Sequence, residues 1–365
     1  MVETKRLGDI ATYINGYAFK PDDWCEEGLP IIRIQDLTGT SYQQNYYKGD
    51  YPAKIEINDG DVLISWSASL GVHIWNRGKA LLNQHIFKVV FDKVEVDKQY
   101  FVYAVQYNLE NMLSKMHGAT MKHIVKKDFD NIEVPFPTLA EQKRVASILT
   151  YAKDAIEDRK QQLAKLDNLV KSRFVEMFGD PIRNSKNFPT NPMTNVCEII
   201  DGDRGKNYPT QEDFLDEGYC LFLNAKNVTS KGFSFKNCTF ITKEKDEMLK
   251  KGHLNRGDVI LTTRGTIGNL AFYDEFVPYE NIRINSGMVI LRMNHGILLE
   301  RFFIEQFKMQ LGSIKEKIAS GSAQPQLPIS TMNKIVVLTP PTEQQKLFVD
   351  FVQNVDKLKV SVSWI

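Results

Sequence analysis

Long apolar runs are missing from this 365-residue chain. No stretch approaches the roughly 18 uninterrupted apolar residues that a membrane span needs. The opening, Met1-Val2-Glu3-Thr4-Lys5-Arg6, leads straight into mixed polarity, so no secretory signal is expected. Cysteine is scarce. Cys25, Cys197, Cys220 and Cys238 stand singly, without the paired spacing of a zinc site or a disulfide framework. They read as free thiols in a reducing cytoplasm. A charge excess is lacking too: 46 Lys and Arg against 45 Asp and Glu leave +1. A free-standing basic clamp for nucleic acid is thereby excluded, and any phosphate affinity has to come from local patches or companion subunits.

Catalytic signatures are equally thin. No Gly-rich nucleotide loop of the Walker or Rossmann type occurs. Asn191-Pro192-Met193-Thr194 lacks the aromatic that adenine methyltransferases place after Asn-Pro-Pro. His73, His85, His117, His123, His253 and His295 never fall at the i, i+4 spacing of a metal-binding helix. Glu141-Gln142-Lys143 can be forced into a nuclease Glu-x-Lys word, but a helix start followed by a solvated face explains it better. Neither a catalytic residue nor a metal or cofactor site is expected in this chain.

What the chain does contain is a repeat. His117-Gly118-Ala119-Thr120, Ile132-Glu133-Val134-Pro135-Phe136-Pro137 and Glu141-Gln142-Lys143 return as Ser320-Gly321-Ser322-Ala323, Ile335-Val336-Val337-Leu338-Thr339-Pro340 and Gln344-Gln345-Lys346, at a constant offset of 203. Gly60-Asp61-Val62-Leu63-Ile64-Ser65 through Gly71 recurs as Gly257-Asp258-Val259-Ile260-Leu261-Thr262 through Gly268, at offset 197. Two copies of one unit imply a pseudo-twofold object with two similar surfaces.

Each copy ends in a helical pattern. From Leu139 to about Phe178, Val145, Leu149, Ala152, Ile156, Leu163, Leu166, Val170 and Met177 follow steps of three and four, with Arg159 and Arg173 in the skipped places. Thr138-Leu139-Ala140-Glu141 has the form of a capping box, and Gly179-Asp180-Pro181 stops the helix. At 1.5 Å per residue the rod would be on the order of 60 Å long. Thr342-Glu343-Gln344-Gln345 opens a second, shorter helix with Phe348, Phe351, Val355, Leu358 and Val362 as its seam. Antiparallel pairing would bury both seams, with Leu149, Ile156, Leu163 and Leu166 facing Phe348, Phe351, Val355 and Leu358. The competing arrangement packs each helix on its own globular piece.

Residues 1–137 and 180–340 are rich in short β-type runs bounded by Gly, Asn or Asp: Ile31-Ile32-Arg33-Ile34, Asp61–Ser65, Phe87–Phe91, Val259–Thr262 and Met288–Leu291. Helices near Lys98–Met116 and Leu298–Ala319 complete each piece. Both are expected to be α+β, one scaffold carrying two different contents.

In these words and their order the chain resembles the specificity subunit of a Type I restriction-modification system. The resemblance rests on Leu7-Gly8-Asp9-Ile10, Asn83-Gln84-His85-Ile86-Phe87, Pro135-Phe136-Pro137-Thr138-Leu139-Ala140-Glu141-Gln142, Glu176-Met177-Phe178-Gly179-Asp180-Pro181 and the duplicated Gly-Asp segment. It implies two α+β target-recognition domains, at 1–137 and 180–340, joined by a long central helix at 138–179. That helix would pair antiparallel with a shorter C-terminal one at 341–365. It also implies that each domain reads one half of a split DNA sequence, with the helices as a ruler. Two methylation subunits carrying S-adenosylmethionine would dock on the helices and methylate adenine. Restriction subunits using ATP and magnesium would join for cleavage. The shorter distal helix would leave part of the central seam open to a partner or to a second copy of the chain. Two readings compete: a recognition subunit of a Type II system with a split target, and a duplicated protein-binding scaffold.

Reading bases requires Arg, Asn, Gln, Ser or Thr at groove edges. In the first domain the candidate loops carry Arg33, Gln35, Trp66, Ser67, Ser69, Gln84, His85, Thr120, Lys122 and His123; Lys122, Lys126 and Lys127 form a basic cluster suited to phosphate. In the second they carry Arg204, Lys206, Asn224, Lys226, Asn227, Thr263, Arg264, Thr266, Ser322, Gln324 and Gln326. Trp66 fits a core position as well, Lys122–Lys127 a solvated face, and the two Gly-Asp words tight turns that feed core strands.

Overall fold

Short β-branched runs between turn residues form strands, and in this chain they assemble the same way twice. The structure, a computed structural model, describes residues 3–115, 126–319 and 326–363. It divides into two units, Met1–Glu157 and Asp158–Ile365. In the first, an antiparallel sheet has the spatial order Thr12–Asn15, Ile86–Val90, Val62–Ser65, Gly71–Ile74. In the second, the order is Cys197–Asp201, Met288–Met293, Val259–Thr262, Leu270–Phe272. A further sheet in each unit contains one parallel pair: Leu29–Ile32 beside Ala80–Leu82, and Cys220–Leu223 beside Ile282–Ile284. The repeat is therefore a repeat of topology, extending beyond the duplicated words to segments whose sequences share almost nothing.

The Gly-Asp words are turns, and the acid in each has a further task. Asp61 accepts the amide of Asn58 at 2.8 Å and pairs with Lys88 at 2.8 Å. Asp258 accepts the amide of Asn255 at 2.7 Å and takes both arms of Arg292 at 2.9 Å. In both units the carboxylate thus ties the turn to the next strand of the sheet. That ion pair holds the Arg292 guanidinium above its ordinary pKa.

One helix in each unit covers the sheet. Phe101, Val105 and Leu109 of Lys98–Lys115, at four-residue steps, are buried. Phe302, Phe303 and Phe307 of Glu300–Ala319 are fully buried. Among the described residues, no helix is long and apolar enough to cross a membrane.

The central helix spans Leu139–Phe178. Its capping box is present: Thr138 N donates to Glu141 Oε2 at 3.1 Å, and Glu141 N to Thr138 Oγ1 at 3.4 Å. Gly179, with φ +76°, supplies the left-handed stop. The helix has two different working faces. In the first unit, Gln142 and Ala146 are buried and the Thr150 hydroxyl meets that of Tyr103 at 3.0 Å. This i, i+4, i+8 face is rotated away from the heptad seam. Leu149 and Ile156, expected in the helix pair, are consequently 42% and 58% exposed.

In the second unit the seam finds its partner. Val170, Phe174 and Phe178 are buried with Phe302 and Phe348, and Leu163 and Leu166 are half-buried. The distal helix, Thr342–Ser363, runs antiparallel: Phe348 lies 5.4 Å from Phe174, Phe351 stacks under Arg173 at 5.8 Å, and Lys359 pairs with Asp167 at 2.7 Å. Its buried apolar positions are Phe348, Val352 and Val355. Leu358 departs from expectation, being 53% exposed. The 348/352/355 row continues to half-buried Lys359, which turns its neighbour outward.

The second capping box does not form as expected either. Gln345, fully buried, accepts the amide of Leu299 at 2.9 Å and donates to the carbonyls of Ile297 and Pro340 at 2.9 and 2.7 Å. Gln142 does the same in the first copy, accepting from Asp97 N at 3.0 Å and donating to Pro137 O at 2.9 Å. Both glutamines fasten the start of a long helix to the turn before the domain helix.

Candidate nucleic-acid interface

The most similar places in the two units lie where the duplicated hairpin turns. In the first unit, Ser65 Oγ donates across the turn to Ser69 O at 2.6 Å, Trp66 N donates to His85 O at 3.3 Å, and Ala68 sits at φ +58°. In the second, Thr262 Oγ1 donates to Thr266 O, Thr263 N donates to Gly287 O at 2.8 Å, and Gly265 sits at φ +68°. One hydroxyl clamp and one left-handed residue present four residues in each loop: Trp66-Ser67-Ala68-Ser69 and Thr263-Arg264-Gly265-Thr266.

Two neighbouring segments approach this hairpin closely. A Cβ on Gly16 would fall 2.1 Å from Asn83 O, and one on Gly202 would fall 2.3 Å from Asn285 O, so only glycine fits at either crossing. A third segment comes after the parallel strand. Arg33 N donates to Asp36 Oδ2 at 2.8 Å, and Asn224 N donates to Asn227 Oδ1 at 2.9 Å, each closing a short turn. The strand expected through Ile34 therefore ends at Ile32, and Arg33 opens a short helix, Ile34–Thr38.

In the first unit these loops enclose a cleft of about 450 Å³ lined by Arg33, Gln35, Ser67, Ser69, Gln84 and His85, together with Thr38, Thr40 and Asn83. Six of the residues singled out from sequence thus meet in one place. Trp66, singled out with them, does not line the cleft: it packs on the core beneath the hairpin, stacked on Phe87 at 5.6 Å with its indole N–H reaching Asn15 at 3.3 Å. Arg33 lends the cleft charge but is already engaged: it donates to Gln43 O at 2.8 Å and lies over Trp24 at 5.6 Å. Lys126 pairs with Asp130 at 2.9 Å one helical turn on, while Lys127 is exposed. Thr120, Lys122 and His123 lie outside the described residues.

In the second unit a cleft of about 280 Å³ is lined by Asp201, Arg204, Thr263, Arg264 and Gln326. Arg204 leans on Asp201 at 3.1 Å and on Ser286 O at 3.2 Å. Although partial burial would raise the Asp203 carboxyl, the amides of Gly205 and Lys250 hold it below the usual carboxylate range, so a fixed anion braces this loop. Lys206, Lys226 and Thr266 are exposed, and Asn224 is half-buried. Two placements correct the expectation. Asn227 is fully buried, and its amide nitrogen holds the carbonyls of Ser234 and Asn237 at 3.1 and 3.0 Å. Thr263 is buried too, its hydroxyl donating to Gly287 O at 3.0 Å. Both support the loops rather than tip them. Ser322 and Gln324 lie outside the described residues.

Sequence reasoning missed Gly16 and Gly202, and took Asn83 only as part of a longer word. The signal for the two glycines was the pair Ile14-Asn15-Gly16 and Ile200-Asp201-Gly202, a further repeated word at an offset of 186. Among the described residues no group of three or more His, Cys, Asp or Glu could hold a metal ion. Two polar clefts thus sit on one duplicated frame, each lined by different residues.

Comparison with known proteins establishes the family. The model described as the Type I restriction modification DNA specificity domain matches residues 1–168 and again 186–362. The chain belongs to that family. It is 24% identical over 382 residues to the Type I restriction enzyme MjaVIII specificity subunit of Methanocaldococcus jannaschii, covering 98% of this chain and 86% of that protein. It is also 24% identical over 314 residues to the Type I restriction enzyme EcoBI specificity subunit of Escherichia coli, covering 79% of this chain and 64% of that one. The crystal structure of the S subunit of a Type I restriction-modification system from M. genitalium shares the fold with a TM-score of 0.57 at 16% identity, covering 99% of this chain and 92% of that one. A second solved chain, from work on assembly and conformational transition of the type I system, gives 0.53 at 15% identity with the same coverage.

Proposed function

We propose that this chain is the DNA-reading subunit of a Type I restriction-modification complex, each domain reading one half of a split target. What supports the reading most is the duplicated hairpin, in which one backbone clamp presents Trp-Ser-Ala-Ser in one domain and Thr-Arg-Gly-Thr in the other. A frame kept while its contents differ is what two unrelated half-targets call for. The near-neutral charge assigns the remaining phosphate affinity to companion subunits.

In this reading the chain is not itself catalytic and acts in the cytoplasm. Two methylation subunits, bringing S-adenosylmethionine, dock along the helices and methylate adenine, and restriction subunits bring ATP and magnesium. The exposed stretch of seam at Val145, Leu149 and Ile156 is apolar surface available to such a subunit, or to a second copy of the chain.

The test is methylome sequencing of a host expressing the complex. A bipartite motif is expected, with unrelated halves whose centres lie about one helical turn, roughly 34–36 Å, apart if both domains approach one face of the duplex. A continuous, unsplit motif would defeat the reading.

A further inference from the structure

The two hairpins differ in one chemically decisive place. Position for position, Arg264 corresponds to Ser67 and Gly265 to Ala68. Guanine is read most often by an arginine whose two N–H arms reach O6 and N7 together, and a guanidinium with both arms free is the readiest to do so.

In the second domain nearly every arginine is engaged. Arg204 holds Asp201 and a carbonyl, Arg256 three carbonyls, Arg283 the buried Asp246, and Arg292 Asp258. Arg301 pairs with Asp356 and Arg183, loosely, with Asp180. Arg264 is exposed at the hairpin tip beside the cleft, and among the described residues its side chain has no hydrogen bond, ion pair or aromatic partner. Its backbone is nevertheless fixed, through an antiparallel bridge to Gln326 and through the clamp on either side. A rigid base under an unengaged fork is the arrangement that base reading favours over loose phosphate contact. The hairpin of the first domain has no counterpart: Arg33 lies on Trp24 and holds Gln43 O, Arg77 lies on Trp75 and holds Asp36 O, exposed Arg6 sits in a separate two-stranded sheet with Glu133–Pro135, and the equivalent tip position is Ser67.

We propose that Arg264 reads a guanine in the half-target of the second domain, from a loop frame that would give the first domain the same preference if it carried the same residue. The proposal rests on the DNA-reading function above and adds to it the base and the side chain.

The test uses the full chain in its complex, with methylation sites mapped across a host genome. The wild-type arm comes first. An unsplit motif there would overturn the underlying reading, and this proposal with it, before any variant is scored. R264K keeps the charge but loses the fork. It should make one G·C position of one half-target degenerate, with discrimination there falling about ten- to hundred-fold, and leave the other positions as they were. In the converse variant, S67R combined with A68G, Trp66 stays in place because it stacks on Phe87. This variant should add a guanine requirement to the opposite half. Unchanged discrimination in R264K, or a uniform loss of methylation at all sites, would overturn the proposal. The second result would make Arg264 a phosphate contact. Should the converse variant fail to fold, R264K decides alone.

Discussion

At the scale of single residues, the two hairpins are a natural experiment on one backbone conformation. Ala68 and Gly265 both sit at positive φ, and no atom lies within 4 Å of where a Cβ on Gly265 would be. Changing either residue therefore changes conformational strain and little else. A left-handed alanine costs about 1–2 kcal/mol, and the freedom of glycine in the unfolded chain returns about 0.4–1 kcal/mol of that. A68G should accordingly stabilise the first domain by about 0.5–1 kcal/mol, and G265A should destabilise the second by a similar amount. Chemical unfolding tracked domain by domain checks both; a stabilising G265A would mean that the two loops do not share their turn. This position also shows what sequence could tell. The repeat aligned Gly265 with Ala68, but an alanine carries no mark of positive φ, so the shared turn became visible only in the backbone. Asn227 was misjudged for a related reason: an asparagine after a strand suits a reading loop and a buried turn equally, and only its two carbonyl partners decide.

At the scale of elements, the helices were the most legible part of the chain and their contact faces the least. Forty residues without Gly or Pro, opened by Thr138 and closed by Gly179, leave little choice about where the central helix begins and ends. The heptad seam was equally plain, yet it is buried only where an antiparallel partner meets it. In its first half the helix lies on its own domain by the Gln142–Ala146–Thr150 face instead. A polar glutamine at a core position defeats hydrophobic pattern reading, because its burial depends on specific backbone partners. The helix pair itself gives a sharp contrast. Phe348 is fully buried among Phe174, Phe178 and Phe302, at ring distances of 5.4, 5.7 and 6.0 Å. F348A should cost about 3–5 kcal/mol. L358A, at an exposed site on the same helix, should stay within about 0.5 kcal/mol of wild type. Thermal unfolding of the two variants side by side measures this. Comparable losses would place Leu358 back in the interface.

At the scale of the whole molecule, the chain is one scaffold used twice, with a helix as the element common to both units. If that helix measures the separation of two half-targets, changing its length should alter the spacing between halves and nothing else. The residues from Tyr151 to Asp158 are all exposed, so an insertion among them disturbs no packed side chain. Four added residues lengthen a helix by about 6 Å and rotate its downstream part by about 40°, whereas seven add about 10 Å and nearly restore the original face. The four-residue insertion should widen the unread spacer by about one or two base pairs, at 3.4 Å per pair. The seven-residue insertion should widen it by about three. Both half-sequences should persist, because neither cleft is touched. Methylome sequencing of the two variants reads spacer and halves together. A spacer that stays constant while the helix grows would show that something other than this helix sets the distance, and a change in either half-sequence would show that the clefts are not independent readers.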